Sequence, residues 1–166
     1  MPDRPLVTPP IERTPAHAGG RVHVAIVMPR YVDLMLRGGK TVESRLSRSR
    51  RAPFEQIAPG ELILFRERGG GYRAQARVAW VRFEEALTPA DVRRLEQELE
   101  PRVRAGSAYW RARRTARFAT LIGLERVRAA FEGPEWIAHG AAWRTFEDLS
   151  ARRPAAERVR PAGARA

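Results

Sequence analysis

The 166-residue chain carries 31 Lys and Arg against 19 Asp and Glu, for a formal net charge of +12, and 43% of its residues are hydrophobic. That length suits one domain with a real core, and the absence of cysteine excludes disulfides and thiolate metal sites. Only His17, His23 and His139 offer imidazoles, far apart in sequence, so neither a histidine-built metal centre nor any other cofactor is expected.

Residues 1–20 hold five prolines and carry no net charge, and they read as a disordered, Pro-rich lead-in. The N-terminus lacks the apolar stretch of a signal peptide and no run approaches a membrane span, so a cytoplasmic protein without a membrane partner is expected. Residues 22–27 are β-rich and predict a first strand. Pro29 starts a helix whose Tyr31, Leu34 and Met35 share one face, and Gly38-Gly39 stop it. Residues 41–45 read as extended, with Thr41, Glu43 and Arg45 to one side and Val42 toward the core. Pro59-Gly60 leads into a strand over 61–65. Gly69-Gly70-Gly71 makes a hairpin turn into a strand over 72–83, where Ala74, Ala76, Val78 and Trp80 alternate with Arg73, Gln75 and Arg77. Thr88 caps a helix that has Pro89 at its first position and runs through Val92, Leu95 and Leu99. A helical piece over 109–115 precedes a strand over 117–127. Trp136, Trp143 and Phe146 then fold back onto the body.

The resulting order is β-α-β-β-α-α-β. With long alternating strands and no repeating βα unit, it predicts an α+β domain over residues 21–150, a small mixed β-barrel with flanking helices. The tail over 151–166 carries five Arg against Glu157 and reads as disordered and basic. With the lead-in neutral, the excess on residues 21–150 is +8, so the domain itself attracts polyanions, of which nucleic acid is the commonest in a cytosol. Nothing in the sequence sets an oligomeric state.

Thirty of the 31 basic residues are Arg, and the one lysine, Lys40, lies in Gly38-Gly39-Lys40-Thr41-Val42-Glu43-Ser44-Arg45. Arg stays protonated at any accessible pH, whereas a Lys amine shifts its pKa and can act as base or nucleophile. Lys40 therefore marks a place where amine chemistry or a compact point charge is needed. A neighbouring Arg lowers its pKa and keeps Glu43 ionised, so Lys40 could serve as general base or polarise a carbonyl. The plainer alternative is a Glu43–Arg45 or Glu43–Lys40 ion pair that anchors the loop.

A helix ending in glycines, then G-x-K-x-x-E-x-R, an Arg-rich loop and Pro59-Gly60-Glu61 entering an apolar strand resembles the ASCH domain family, which shares the PUA-like barrel. The resemblance covers roughly residues 22–130. It implies binding of RNA or a nucleotide in a cleft beside the motif. One branch of that family resembles amidohydrolases acting on N(4)-acetylcytidine, and others are linked to RNA cleavage. Carried over, Lys40 matches the motif lysine, catalytic in the amidohydrolase branch, and Glu43 the motif glutamate. Where that branch has a threonine nucleophile, this chain has Glu43, with Thr41 two positions away. The branch's further glutamate aligns loosely with Glu96 or Glu98.

Arg45, Arg48, Arg50 and Arg51 crowd one loop, and Arg111, Arg113, Arg114 and Arg117 flank Tyr109 and Trp110. Arg makes forked phosphate contacts and aromatic rings stack on bases, so Arg45, Arg48, Arg50, Arg51, Arg73, Arg113 and Arg117 are candidate backbone contacts and Tyr72 a stacking platform. Two functions follow. In the first, a hydrolase acts on a modified nucleoside or on RNA, with Lys40, Glu43, Thr41 and Glu96 as catalytic candidates. In the second, the same cleft binds RNA or a modified base without chemistry.

Overall fold

A computed structural model describes residues 20–136 and 138–147; the lead-in through residue 19 and the tail from residue 148 lie outside the described residues. The elements in chain order are β1 (Val22–Val27), α1 (Pro29–Leu36), β2 (Val42–Ser47), β3 (Leu62–Glu67), β4 (Tyr72–Glu85), α2 (Pro89–Val103), α3 (Ser107–Ala112), β5 (Phe118–Ala129) and β6 (Trp143–Phe146). The six strands form one mixed sheet in the order β2-β5-β4-β3-β1-β6, with β1 and β3 parallel and every other pair antiparallel. This is the expected α+β class.

The sheet curls into a half-barrel whose two edges are bridged by a side chain. Arg45 on edge strand β2 donates to Ile26 O of β1 (3.2 Å) and to Ala142 O, just before edge strand β6 (3.4 Å). Among the described residues no backbone ladder closes that gap, and the gap forms a cleft.

Local sequence explains the helices. Pro29 occupies the first turn of α1, where its missing N–H costs nothing, and Val32 and Met35 are buried one turn apart. After the helix, Gly38 adopts φ +77°, a left-handed value that favours glycine, and the N–H groups of Gly39 and Lys40 both return to Leu34 O (2.8 and 3.1 Å). This wrap delivers Lys40 to the start of β2. Thr88 and Asp91 form a reciprocal capping box at the start of α2, and Val92, Leu95, Leu99 and Val103 make its buried stripe.

Strand β5 separates the two larger chambers of the core, and Val22, Val24 and Leu64 form a smaller third cluster. Ile122 and Leu124 join Ile63, Phe65, Ala76, Val78 and the α1 residues Val32 and Met35 inside the half-barrel. Ala119 and Leu121 join Val42, Trp110 and the α2 stripe on the other side. Strand β5 is therefore buried continuously from Ala119 to Leu124, as its unbroken apolar run requires.

Two expectations are corrected. Strands β2 and β6 are additional to the expected strand order. Trp80 does not share a face with Ala74, Ala76 and Val78, because the ladder shifts register between Val78 and Trp80 and turns Trp80 toward the α2 chamber, over Gly123. Val81 and Phe83 take the inward positions instead.

A buried polar staple joins β1, β6 and the turn before β3. Neutral His23, fully buried, donates from Nε2 to Glu61 Oε2 (2.8 Å) and accepts at Nδ1 from the Thr145 hydroxyl (3.0 Å). Glu61 also accepts from Ala58 N (2.9 Å) and Arg21 Nε (2.7 Å). Burial pushes the imidazole below its ordinary 6.5, although Glu61 pulls the other way and Arg21 adds to the lowering. Because the folded state disfavours the proton that the unfolded chain accepts, His23 contributes stability that is present above pH 6.5 and lost as pH falls through its lowered folded value. Melting temperatures recorded from pH 7.5 to 5 are expected to drop in wild type and to drop less in His23→Gln; parallel curves would remove His23 from the cause.

Candidate functional site: a basic cleft at the gap in the barrel

The gap between the sheet edges opens into a cleft of about 800 Å³. One wall is the end of β1 with Met28, Arg30 and Tyr31, and another is α3 with Tyr109 and Arg113. Residues 51–54 and residues 140–143 flank the mouth, and Lys40, Glu43, Ser44 and Arg45 form the floor. Among the described residues, six basic side chains line it (Arg30, Lys40, Arg45, Arg51, Arg68 and Arg113) against one carboxylate, Glu43.

The floor is a buried charge cluster. Lys40 Nζ donates to Val42 O and Val103 O, both at 2.8 Å, and lies 3.3 Å from Glu43 Oε2. The other carboxylate oxygen sits 2.9 Å from Arg45 Nε, out of line for a hydrogen bond. Burial is the main force lowering the Lys40 pKa, with the Arg45 charge a lesser one, while Glu43 pulls it up. Besides these two carbonyl hydrogen bonds, the neighbouring carboxylate of Glu43 makes an ion pair with Lys40, which favours the ammonium form. Burial alone would raise the Glu43 pKa, but the charges of Lys40 and Arg45 outweigh it and hold the carboxyl below its ordinary 4.5.

Beside this cluster, the Tyr109 hydroxyl donates to Ser44 O (3.0 Å) and accepts from Ser44 Oγ (2.7 Å). Burial pushes its pKa up to about 12, so it remains a neutral phenol. The Arg113 guanidinium lies 3.8 Å from the Tyr109 ring centre, presenting a flat cationic surface at the cleft wall.

The structure brings Lys40, Glu43, Arg45, Arg51 and Arg113 together at the cleft. It does not bring the other candidates there. Thr41 is exposed outside the lining, against the expectation that it shares a side with Glu43, because β2 begins only at Val42 and the strand alternation does not extend to Thr41. Glu96 pairs with Arg114 (3.1 Å) and Glu98 with Arg82 (2.7 Å), both away from the lining. Arg50 is held by Glu55 and Glu85, and Arg48 Nε donates to Thr115 Oγ1 (3.0 Å). Arg73 is held by Glu67 and Asp33, and Arg117 is exposed outside the lining. Tyr72 packs under Gly133 on another part of the sheet, its hydroxyl donating to Pro134 O (2.5 Å).

Sequence reasoning missed Arg30, Tyr31, Ser44, Arg68 and Trp143 as lining residues. Tyr31 had a signal, since it precedes Lys40 on the helix that delivers it, and the Lys40 ammonium sits 5.2 Å from its ring centre. Trp143 had none. Among the described residues, no group of three His, Asp or Glu side chains is placed to hold a metal, and no helix is long and apolar enough to cross a membrane.

Scans against protein-family models and against curated proteins find no match. Among solved structures, the chain is similar to the crystal structure of ASCH from Zymomonas mobilis, at 18% identity and TM-score 0.52 over 65% of this chain and 69% of that one. A serine-to-alanine variant of that protein aligns at 16% identity and TM-score 0.57, over 78% of this chain and 91% of that one. The chain has an ASCH-type fold.

Proposed function

We propose that this protein binds single-stranded RNA or a nucleotide unit of it in the cleft, with phosphate at the arginine-lined mouth and the base toward the Lys40–Glu43–Arg45 floor. One observation carries the reading. Among the described residues, the lining arginines Arg30, Arg51, Arg68 and Arg113 have no acidic partner, and the one carboxylate in the lining, Glu43, is already taken by Lys40 and Arg45. Four uncompensated charges thus face a concave site that can receive an anion. The volume suits a nucleotide-sized ligand, and the Arg113–Tyr109 pair offers a stacking surface.

The test is fluorescence anisotropy with an eight-nucleotide oligouridylate across a salt series. Replacing Arg51, Arg68 and Arg113 together by alanine is expected to weaken binding at least about tenfold. It should also flatten the log–log salt slope by about 0.7 for each phosphate no longer neutralised. Unchanged affinity and slope would sink the reading.

Hydrolysis is a second reading, favoured by the ionised Glu43 beside the Ser44–Tyr109 hydroxyl pair. In it, the positive charge of Lys40 offsets the negative charge that develops nearby, and Glu43 accepts the proton of the attacking hydroxyl or water and returns it to the leaving group as its bond breaks. Incubation of the wild-type protein with N(4)-acetylcytidine, and separately with RNA, decides it. Cytidine release or strand cleavage supports hydrolysis, and intact substrates leave a binding module.

A further inference from the structure

We propose that the ligand of this cleft is a polynucleotide strand rather than a free nucleotide, and that its backbone leaves the cleft over Arg48 and Arg117. The proposal rests on the nucleotide-binding reading and names the size of the ligand and its path.

The floor of the cleft is closed at one end and open at the other. Along β2, Lys40, Glu43 and Ser44 are buried, Arg45 to Ser47 are half-buried, and Arg48 is exposed. At the buried end, Lys40 donates to Val103 O of α2 and the Tyr31 hydroxyl reaches Ala105 O (3.5 Å), so α1 and the elbow after α2 meet there. At the open end, the lining finishes on Ser47 and Phe118, the pair that ends the β2–β5 ladder. The next residue outward on each strand is an arginine. These are Arg48 after β2 and Arg117 before β5, and both are exposed.

Two bonds hold this exit together. Arg117 N donates to Ser47 O (2.9 Å), and Arg48 Nε donates to Thr115 Oγ1 (3.0 Å). The segments 47–51 and 113–117 therefore lie side by side, and the same two segments supply Arg51 and Arg113 to the lining. Among the described residues, neither Arg48 nor Arg117 has an acidic partner, and the nearby carboxylates are taken: Glu55 and Glu85 hold Arg50, and Glu96 holds Arg114. Positive charge thus continues from the lining onto the surface at the open end. A lone nucleotide seated on the floor keeps its phosphate inside the cleft and gains nothing from it. A strand, with a phosphate at every nucleotide, reaches it and gains affinity that does not depend on base sequence.

The experiment measures binding of diuridylate and of an eight-nucleotide oligouridylate to three full-length proteins. These are wild type, Arg48→Gln/Arg117→Gln, and the control Arg77→Gln/Arg126→Gln, whose two exposed arginines lie outside the lining toward the other end of β5. Wild type is expected to bind the octamer at least about tenfold more tightly than the dinucleotide. Arg48→Gln/Arg117→Gln should weaken the octamer at least about fivefold, leave the dinucleotide within about twofold, and flatten the octamer's log–log salt slope by about 0.7 for each phosphate released. The control should keep the wild-type gain with length. Equal octamer losses in the two double variants would reduce the effect to bulk charge and overturn the exit path. So would an equal loss on both ligands, or a wild type that binds the dinucleotide as tightly as the octamer; that last result would still leave a nucleotide site in the cleft. A wild type that binds neither ligand would remove the nucleotide reading itself, and the path with it.

Discussion

Replacing Lys40 by methionine is expected to cost about 3–5 kcal/mol of folding stability, the range for breaking a buried ion pair by removing one partner. The side chain is 3% exposed, and its ammonium donates to two backbone carbonyls and pairs with Glu43. Glu43 would be left as a buried carboxylate beside Arg45 alone. The carbonyl of Val42 would lose its lysine donor, and so would that of Val103, the last residue of α2, where helix carbonyls lack intrahelical partners. Lys40 thus ties the C-terminus of α2, where a positive charge also favours the helix dipole, to the start of β2. Urea unfolding would show the loss as a lower midpoint at an unchanged slope. The double variant Lys40→Met/Glu43→Leu is expected to regain part of it, because removing both charges leaves no lone ion buried. A single variant within about 0.5 kcal/mol of wild type would refute the clamp and return the lysine to chemistry. The same geometry explains why an arginine-rich chain keeps one lysine here: two carbonyls and a carboxylate around one buried nitrogen suit a compact ammonium better than a planar fork.

What can be read in the sequence is what neighbouring residues decide. Thr88-Pro89 and Asp91 specify a capped helix start within four positions, and Gly38-Gly39 specify the wrap that delivers Lys40. What cannot be read depends on partners distant in sequence. Strand β2 reads as extended, but only its pairing with β5, Glu43 opposite Ile122, makes it a sheet edge. Strand β6 is four residues long, and its pairing with β1 is what carries Trp143 to the cleft. Tyr72 follows a glycine hairpin and looks free to stack, yet the segment around Gly133 folds so closely over it that a Cβ there would lie 2.5 Å from its ring. The arginine run 48–51 looks uniform. Only Arg51 lines the cleft, because acids on two separate segments, Glu55 and Glu85, take Arg50 away. Clustering of charge is visible in a sequence; its compensation is a property of the fold.

The cleft's α3 wall depends on one buried residue, and Trp110→Ala is expected to lose about 3–5 kcal/mol. Trp110 is fully buried among Leu95, Leu99 and Val103 of α2, and its ring meets Tyr109 edge-on at 5.3 Å. Its indole N–H donates to Glu100, which also accepts from the backbone of Ala105 (3.2 Å) and Gly106 (2.8 Å). That one carboxylate orders the elbow between α2 and α3, where Arg104 and Gly106 adopt left-handed φ values of 57° and 85°. Truncating Trp110 therefore opens a cavity and frees one arm of the elbow together, and the elbow aims Tyr109 and Arg113 at the ligand. Trp110→Phe separates the two effects. It fills most of the space and removes only the hydrogen bond, so its cost should be nearer about 1–3 kcal/mol, that of leaving a partly buried acceptor short of a donor. Urea unfolding gives both costs, and oligouridylate titration below each variant's unfolding range gives the functional consequence. If α3 is held as a wall from beneath, Trp110→Ala binds more weakly even where it is fully folded. Full affinity in the folded variant would show that Tyr109 is held by its bonds to Ser44 alone.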